Sequence, residues 1–140
     1  MRLYTAQISQ YRGLQKAGIA YIDTTVKSGL PLLAPSWDMV TRHKAGTLDN
    51  SGYMALYLDK TRQSYKLHDA QWRKIALMDE VAFLCYCPPG VIEHPTFCHR
   101  FLLIEMFDKI CQRAGIPFEY MGEWIRGEVF PYPVPIWLSK

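Results

Sequence analysis

Residues 80–86 read Glu-Val-Ala-Phe-Leu-Cys-Tyr, a nearly continuous apolar run. A short run of this kind is typical of a strand that is buried on both faces of a parallel sheet. The sequence Pro88-Pro89-Gly90 follows and predicts that the strand ends there. We therefore take residues 80–86 as the central strand and place the other elements around it.

Three other segments have the composition of strands. They are residues 3–8, residues 19–25 and residues 116–120, and the second of these is rich in β-branched and aromatic side chains. After the central strand, residues 101–114 carry apolar side chains at helical spacing, which predicts an amphipathic helix packed on the sheet. Alternating strands and helices are typical of an α/β protein with a mostly parallel sheet.

The long interval between the second and the central strand is predicted to be helical. Capping residues and apolar spacing favour one helix over residues 37–44, a second from Asp49 or Ser51 to about residue 65, and a third over residues 72–78. The expected architecture is a three-layer α/β sandwich, with a short, mostly parallel sheet and a helical insertion between its second and central strands.

The chain of 140 residues has the usual size of a single domain. We predict one α/β domain over residues 1–128, followed by an extended tail over residues 129–140. The tail contains Pro131, Pro133 and Pro135, which disfavour regular structure. Its aromatic side chains must pack against something, which makes a homodimer formed through the tail a reasonable hypothesis.

Composition narrows the range of functions. Charged residues make up 21% and hydrophobic residues 49% of the chain, values that are ordinary for a folded protein. The net charge of +3 is compatible with an anionic ligand but is weaker than that of a dedicated nucleic-acid binder. Neither an export signal nor a membrane-length apolar run is visible, so we expect a cytoplasmic protein without a membrane partner, whose four cysteines are reduced thiols.

The richest chemistry lies between Cys85 and Arg100, after the central strand. Three cysteines and two histidines fall within this stretch. A helix that starts near Cys98 offers free backbone N–H groups and a positive dipole end, and Arg100 adds a planar set of donors for phosphate. The first interpretation is an anion pocket, in which Cys98 and His99 are catalytic and Arg100, with the two strand-end thiols of Cys85 and Cys87, contacts the ligand.

Two alternatives compete for the same residues. Cys85, Cys87, Cys98 and either His94 or His99 form a possible zinc set, although the Cys-x-Cys spacing differs from common zinc knuckles. A redox pair between Cys98 and one of the other two thiols is also open. The preferred interpretation needs no cofactor, and zinc is the alternative.

The end of the second strand supplies a further set of polar residues. Asp23 is a candidate general base or orienting group for the Cys98–His99 pair, provided that the two strands are neighbours. Thr25, Lys27 and Ser28 are candidate ligand contacts, with Lys27 placed to hold an anion. A simple turn-capping role for Asp23 is an equally reasonable interpretation.

The residues Val-Ala-Phe-Leu-Cys at 81–85, followed by Cys98-His99-Arg100, resemble the signature of the family called domain of unknown function 488. The segment 21–28 looks like the counterpart of that family's Asp-Val-Arg-like turn, although Lys27 stands where an arginine is usual. The resemblance covers most of residues 1–121 and implies an α/β fold with a site at Cys98. Small variants of this kind resemble proteins of phages and mobile elements.

Three functional hypotheses follow. The first is a ligand-binding protein, or a cysteine- or acid/base-dependent enzyme, that acts on a phosphorylated or nucleotide-like small molecule. The second is a nucleic-acid-handling protein that uses the basic middle helices. Their cations are Lys60, Arg62, Lys66, Arg73 and Lys74. The third is a non-catalytic interaction module with a structural zinc.

Overall fold

The computed structural model describes residues 1–90 and 96–131. Its strands are β1 (Arg2–Gln7), β2 (Ala20–Asp23), β3 (Glu80–Cys85), β4 (Glu119–Ile125) and β5 (Glu128–Phe130). Its helices are α1 (Tyr11–Lys16), α2 (Trp37–Lys44), α3 (Asn50–Ala76) and α4 (His99–Ala114), with a 3-10 turn at Ile8–Gln10. Among these described helices, none is long and apolar enough to cross a membrane.

The five strands form one sheet in the order β2-β3-β1-β4-β5. The first four are parallel to their neighbours, and β5 pairs antiparallel with β4. This confirms the predicted α/β class and mostly parallel sheet. The middle position belongs to β1, however, and β3 lies beside it between β1 and β2.

The sheet is the middle of three layers, with three helices on one face and a single short helix on the other. On one face, α2, α3 and α4 enclose the larger core, which includes Leu3, Phe83, Phe101 and Phe107. On the other face, the six-residue helix α1 places Leu14 in a smaller core. Side chains alternate along β3 between the two cores, which is why its sequence is apolar throughout.

The predicted helical insertion is present, but it contains two helices. Helix α2 has the predicted bounds, and the Ser36 hydroxyl accepts a hydrogen bond from the Met39 N–H at its start. Helix α3 extends from residue 50 to residue 76 but is kinked at His68, whose backbone angles are non-helical, so the second and third predicted helices meet at this kink. Asp69, expected to cap the third helix, directly follows this kink, and the two parts stay joined because no proline and no glycine after Gly52 separates them.

The last strands also differ from the prediction. The strand expected at residues 116–120 is β4, which begins at Glu119 and continues to Ile125, because it follows β1 along its length. The sheet then extends through β5 to Phe130, so the first two residues assigned to the tail are part of a strand. Residues 132–140, and with them the predicted tail dimer, lie outside the described residues.

Candidate functional site

Three cysteine sulfurs meet at the carboxyl edge of the sheet. Cys85 is the last residue of β3, Cys87 follows two residues later, and Cys98 is the N-cap of α4. Their sulfur atoms all lie within 4.8 Å of one another, and the Cys85 and Cys98 sulfurs are 2.6 Å apart. Cys85 and Cys98 are buried and Cys87 is partly exposed. The structure therefore brings together the three thiols that the sequence singled out.

Arg100 lies beneath this cluster and is fully buried with Glu123 of β4. The two side chains form an ion pair at 2.6 Å, and Nε of Arg100 also donates to Glu123. The other donors reach the Cys85 sulfur at 2.8 Å and the carbonyl oxygens of Cys87 and Pro88. Because a guanidinium has five N–H donors, these contacts use all of them.

This arrangement changes the role predicted for Arg100. The side chain was expected to hold an anionic ligand at the start of α4, but its donors are directed to Glu123 and to the residues after β3. Burial opposes the charge of Arg100, yet the nearby thiols and Glu123 raise its pKa well above the ordinary value. Arg100 is thus a permanently charged internal group that joins β3, α4 and β4.

His99, the first residue of α4, contacts the end of β2. Its Nε2 is 2.9 Å from both the carbonyl oxygen and the hydroxyl oxygen of Thr24. The carbonyl can only accept, so Nε2 carries the proton and Nδ1 has a free lone pair. This Nδ1 lies 3.7 Å from the Cys98 sulfur. Burial lowers the pKa of His99, so the ring is neutral near pH 7.

The three thiols differ in their protonation. Burial disfavours the Cys98 thiolate, but hydrogen bonds from the Cys85 and Cys87 thiols and the charge of Arg100 outweigh this and hold its pKa well below the ordinary value. The pKa of Cys87 is raised by its hydrogen bonds to Cys85 and Cys98. For Cys85, burial is the main cause of the raised pKa. Cys98 is therefore the most acidic of the three thiols and the first to lose its proton.

The predicted residues at the end of β2 form a turn of their own. Strand β2 is indeed the neighbour of β3. The Asp23 carboxylate accepts from the Thr25 N–H at 2.8 Å and from the Ser28 hydroxyl at 2.5 Å. These bonds give Asp23 the turn-capping role, with no hydrogen bond to His99 in the described residues. Lys27 and Ser28 are exposed, and Thr25 is buried next to Ser28.

Two important residues were not assigned a role from the sequence. Thr24 connects β2 to His99 and also donates to the Leu84 carbonyl. Glu123 neutralises Arg100 and accepts a hydrogen bond from the Gly90 N–H. In the sequence, Glu123 stood out only as the acidic residue among the apolar and aromatic residues of segment 120–125. The strand predicted at residues 116–120 ended before it. His94, the alternative metal ligand, lies outside the described residues.

The donor atoms match the preferences of a soft divalent metal. Zinc binds thiolates at about 2.3 Å and imidazole at about 2.0 Å, so a tetrahedral site has S···N edges of about 3.5 Å and S···S edges of about 3.8 Å. The distance of 3.7 Å from the Cys98 sulfur to His99 Nδ1 fits such an edge, but His99 is not one of the donors that all lie within 4.8 Å of one another, so its ring has to approach the other two sulfurs. The 2.6 Å separation of Cys85 and Cys98 is shorter, so metal entry requires these sulfurs to move apart by about 1.2 Å.

The chain was compared with known proteins in three ways. No protein-family model matches it, no curated protein matches it, and no solved structure matches it. The resemblance to domain of unknown function 488 therefore stays a prediction that rests on the quoted motifs. Arguments about activity depend on the geometry of the described residues alone.

Proposed function

We propose that this protein is a zinc-stabilised α/β binding module, with one zinc ion held by Cys85, Cys87, Cys98 and His99. The observation that supports it is the convergence of three sulfur atoms within 4.8 Å at the junction of β3 and α4. With His99 added to the three cysteines, the site would have a closed set of four protein ligands, which is typical of structural rather than catalytic zinc sites. The free thiols suit the reducing cytoplasm that the sequence predicts.

The residues around the cluster support metal binding as a second layer. The Thr24 carbonyl fixes the His99 tautomer that leaves Nδ1 free, as in many histidines that bind zinc through one ring nitrogen. Arg100 donates to the Cys85 sulfur and would offset part of the negative charge of three thiolates.

Zinc would fasten the connection between β3 and α4. Cys87 and Cys98 bracket this connection, and a shared metal would tie both of its ends to the carboxyl edge of the sheet. Zinc binds cysteine as the thiolate, and the raised pKa values of Cys85 and Cys87 mean that these two thiols release their protons when the metal binds. Zinc affinity should therefore increase with pH.

The test is the zinc content of the purified protein after equilibration with zinc and desalting. We expect about one zinc per chain in the wild type, as for a structural site, and substantially less in Cys85→Ala and in Cys98→Ala. Cys111→Ala is the matched control, because Cys111 is a buried thiol of α4 outside the cluster. A wild type without bound zinc, or a control that loses as much zinc as Cys98→Ala, would contradict the proposal.

The identity of the fourth ligand has its own comparison. His99→Ala should weaken zinc binding, whereas His94→Ala should leave the affinity unchanged. Competition with a chromophoric chelator measures both affinities under the same conditions. If His94→Ala alone weakened binding, the metal would have the same three thiolates but a different imidazole.

A second candidate function is thiol–disulfide exchange between Cys85 and Cys98, favoured by the 2.6 Å between their sulfurs. In this reaction the Cys98 thiolate attacks one sulfur of a disulfide such as oxidised glutathione and displaces glutathione thiolate. Cys85 then attacks the mixed disulfide, giving an intramolecular disulfide and a second glutathione. A mass decrease of about 2 Da that is lost in Cys85→Ala would support it. Protection of both thiols by zinc would instead favour the metal site.

A further inference from the structure

A groove of about 370 Å³ lies between α3 and α4, away from the cysteine cluster. Its floor is apolar and includes Trp72, Ile110 and Met106. Trp72 is rigidly placed, since its ring is buried and stacks on Phe107 with 5.3 Å between the ring centres. The half-buried ring of Tyr65 packs against Trp72 and completes the aromatic part of the lining. This volume is within the range of small-molecule sites.

Four cations line the same groove, two on each helix. Arg62 and Lys66 are one turn apart on α3, and Lys109 and Arg113 are one turn apart on α4. Like charges at this spacing repel, so each pair weakens its own helix unless an anion lies between the cations. Among the lining residues there is no Asp or Glu.

Within the described residues, nearby acids neutralise only one of these four charges. Lys109 pairs with Glu105 on the exposed side of α4 at 3.2 Å. For the other three cations, no ion pair is present within the described residues. The groove therefore combines an apolar, aromatic floor with a rim of about four positive charges, a combination that fits a ligand with a planar body and several negative charges.

We infer that this groove binds a nucleoside di- or triphosphate, with its phosphates between the two cation pairs and its base over Tyr65 and the apolar floor. A small ligand fits better than a nucleic-acid strand, because the four cations surround one groove of about 370 Å³. Elsewhere on the chain, Arg2, Arg42 and Arg73 pair with acidic residues. Lys60, one of the basic residues predicted to contact nucleic acid, donates to the carbonyl of Ala34.

The experiment is isothermal titration of the zinc-equilibrated full chain with ATP, with AMP and with inorganic pyrophosphate. The test variants are Lys66→Ala and Arg113→Ala, one from each helix. Lys74→Ala is the matched control, because it removes an exposed cation of α3 that does not line the groove. Each test variant should bind ATP about tenfold or more weakly, since each removes a charged donor to phosphate, and the control should match the wild type.

We expect ATP to bind more tightly than AMP, because it has more phosphates, and more tightly than pyrophosphate, which lacks a base. Absence of ATP binding at millimolar concentration would overturn the inference, and so would equal losses in Lys74→Ala and Lys66→Ala. Pyrophosphate binding as tight as that of ATP would rule out the base contact. Binding of single-stranded DNA without binding of ATP would show that the groove belongs to a nucleic-acid surface. Cys98→Ala should retain ATP binding, which separates this inference from the zinc proposal.

Discussion

The buried ion pair between Arg100 and Glu123 provides the strongest test of how the site is built. Glu123→Gln keeps the shape of the side chain but removes its charge. The substitution leaves the buried Arg100 guanidinium without its carboxylate partner, and it replaces an acceptor oxygen with an NH₂ donor that faces other donors. Removing one partner from a fully buried pair typically costs about 3–5 kcal/mol.

Urea unfolding followed by circular dichroism measures this cost. For a slope of about 2 kcal/mol per molar urea, the expected loss lowers the midpoint by about 2 M. Asp79→Asn is the control, because it breaks the exposed Arg2–Asp79 pair and should leave the midpoint nearly unchanged. The double variant Arg100→Met with Glu123→Met should be less destabilised than Glu123→Gln, since it leaves no buried charge. Equal midpoints for Glu123→Gln and Asp79→Asn would refute the argument.

Three more predictions concern stability. Burial lowers the pKa of His99 below the ordinary 6.5, so the unfolded chain binds a proton first as the pH falls. The free energy of unfolding should therefore decrease below about pH 6.5, and His99→Gln should lessen this slope. Gly29→Ala should be strongly destabilising, because a Cβ there would lie 2.4 Å from the Thr25 backbone nitrogen. Ser36→Ala should cost about 1 kcal/mol through loss of the cap on α2. Urea titrations measure the free energy of unfolding of all three variants. For His99→Gln and the wild type, the titrations are repeated from pH 5.5 to 7.5.

Each of these predictions has a matched control. His68→Gln changes an exposed histidine and should keep the pH slope of the wild type. Gly46→Ala places a Cβ in open space, so it tests the cost of a positive φ alone, without the clash expected at Gly29. Ser51→Ala lies in the first turn of α3, where Asp49 provides the cap, and should be nearly neutral. If each control matched its test variant, the corresponding explanation would fail.

Local sequence patterns were sufficient for the fold class and for the location of the site. The apolar run at 80–86 marked a buried strand, and the spacing in 101–114 marked the helix that follows it. In a parallel sheet the carboxyl ends of neighbouring strands share one edge, so thiols at the end of β3 and at the start of α4 were expected to meet. The structure places Cys85 and Cys98 in contact there.

The errors arose where long-range contacts decide the outcome. Arg100 and Glu123 are 23 residues apart, and the sequence pattern contained no sign that they would pair. The pairing depends on the extension of β4 beyond residue 120, and this extension is set by its register with β1, in which Thr5 lies opposite Glu123. Arg100 therefore looked like a free ligand contact, when its donors are used within the protein.

Spacing along the chain was also a poor guide to whether the cysteines could share a metal. A Cys-x-Cys pair differs from the usual knuckle, but spacing along the chain does not show how close Cys98 comes to the pair in space. The His99 tautomer depends on Thr24 of a neighbouring segment, which no motif predicted. The convergence of the three sulfur atoms in space therefore favours the zinc hypothesis, which the spacing along the chain had made the alternative.

The most direct test of the central proposal is the zinc K-edge X-ray absorption spectrum of the zinc-equilibrated protein. We predict a first shell of three sulfur atoms at about 2.3 Å and one nitrogen at about 2.0 Å. Cys87→Ala should reduce the sulfur count, because its sulfur lies within 4.8 Å of the other two. A shell composed only of nitrogen and oxygen atoms would contradict the proposal, since zinc would then be bound somewhere other than the three converging thiols.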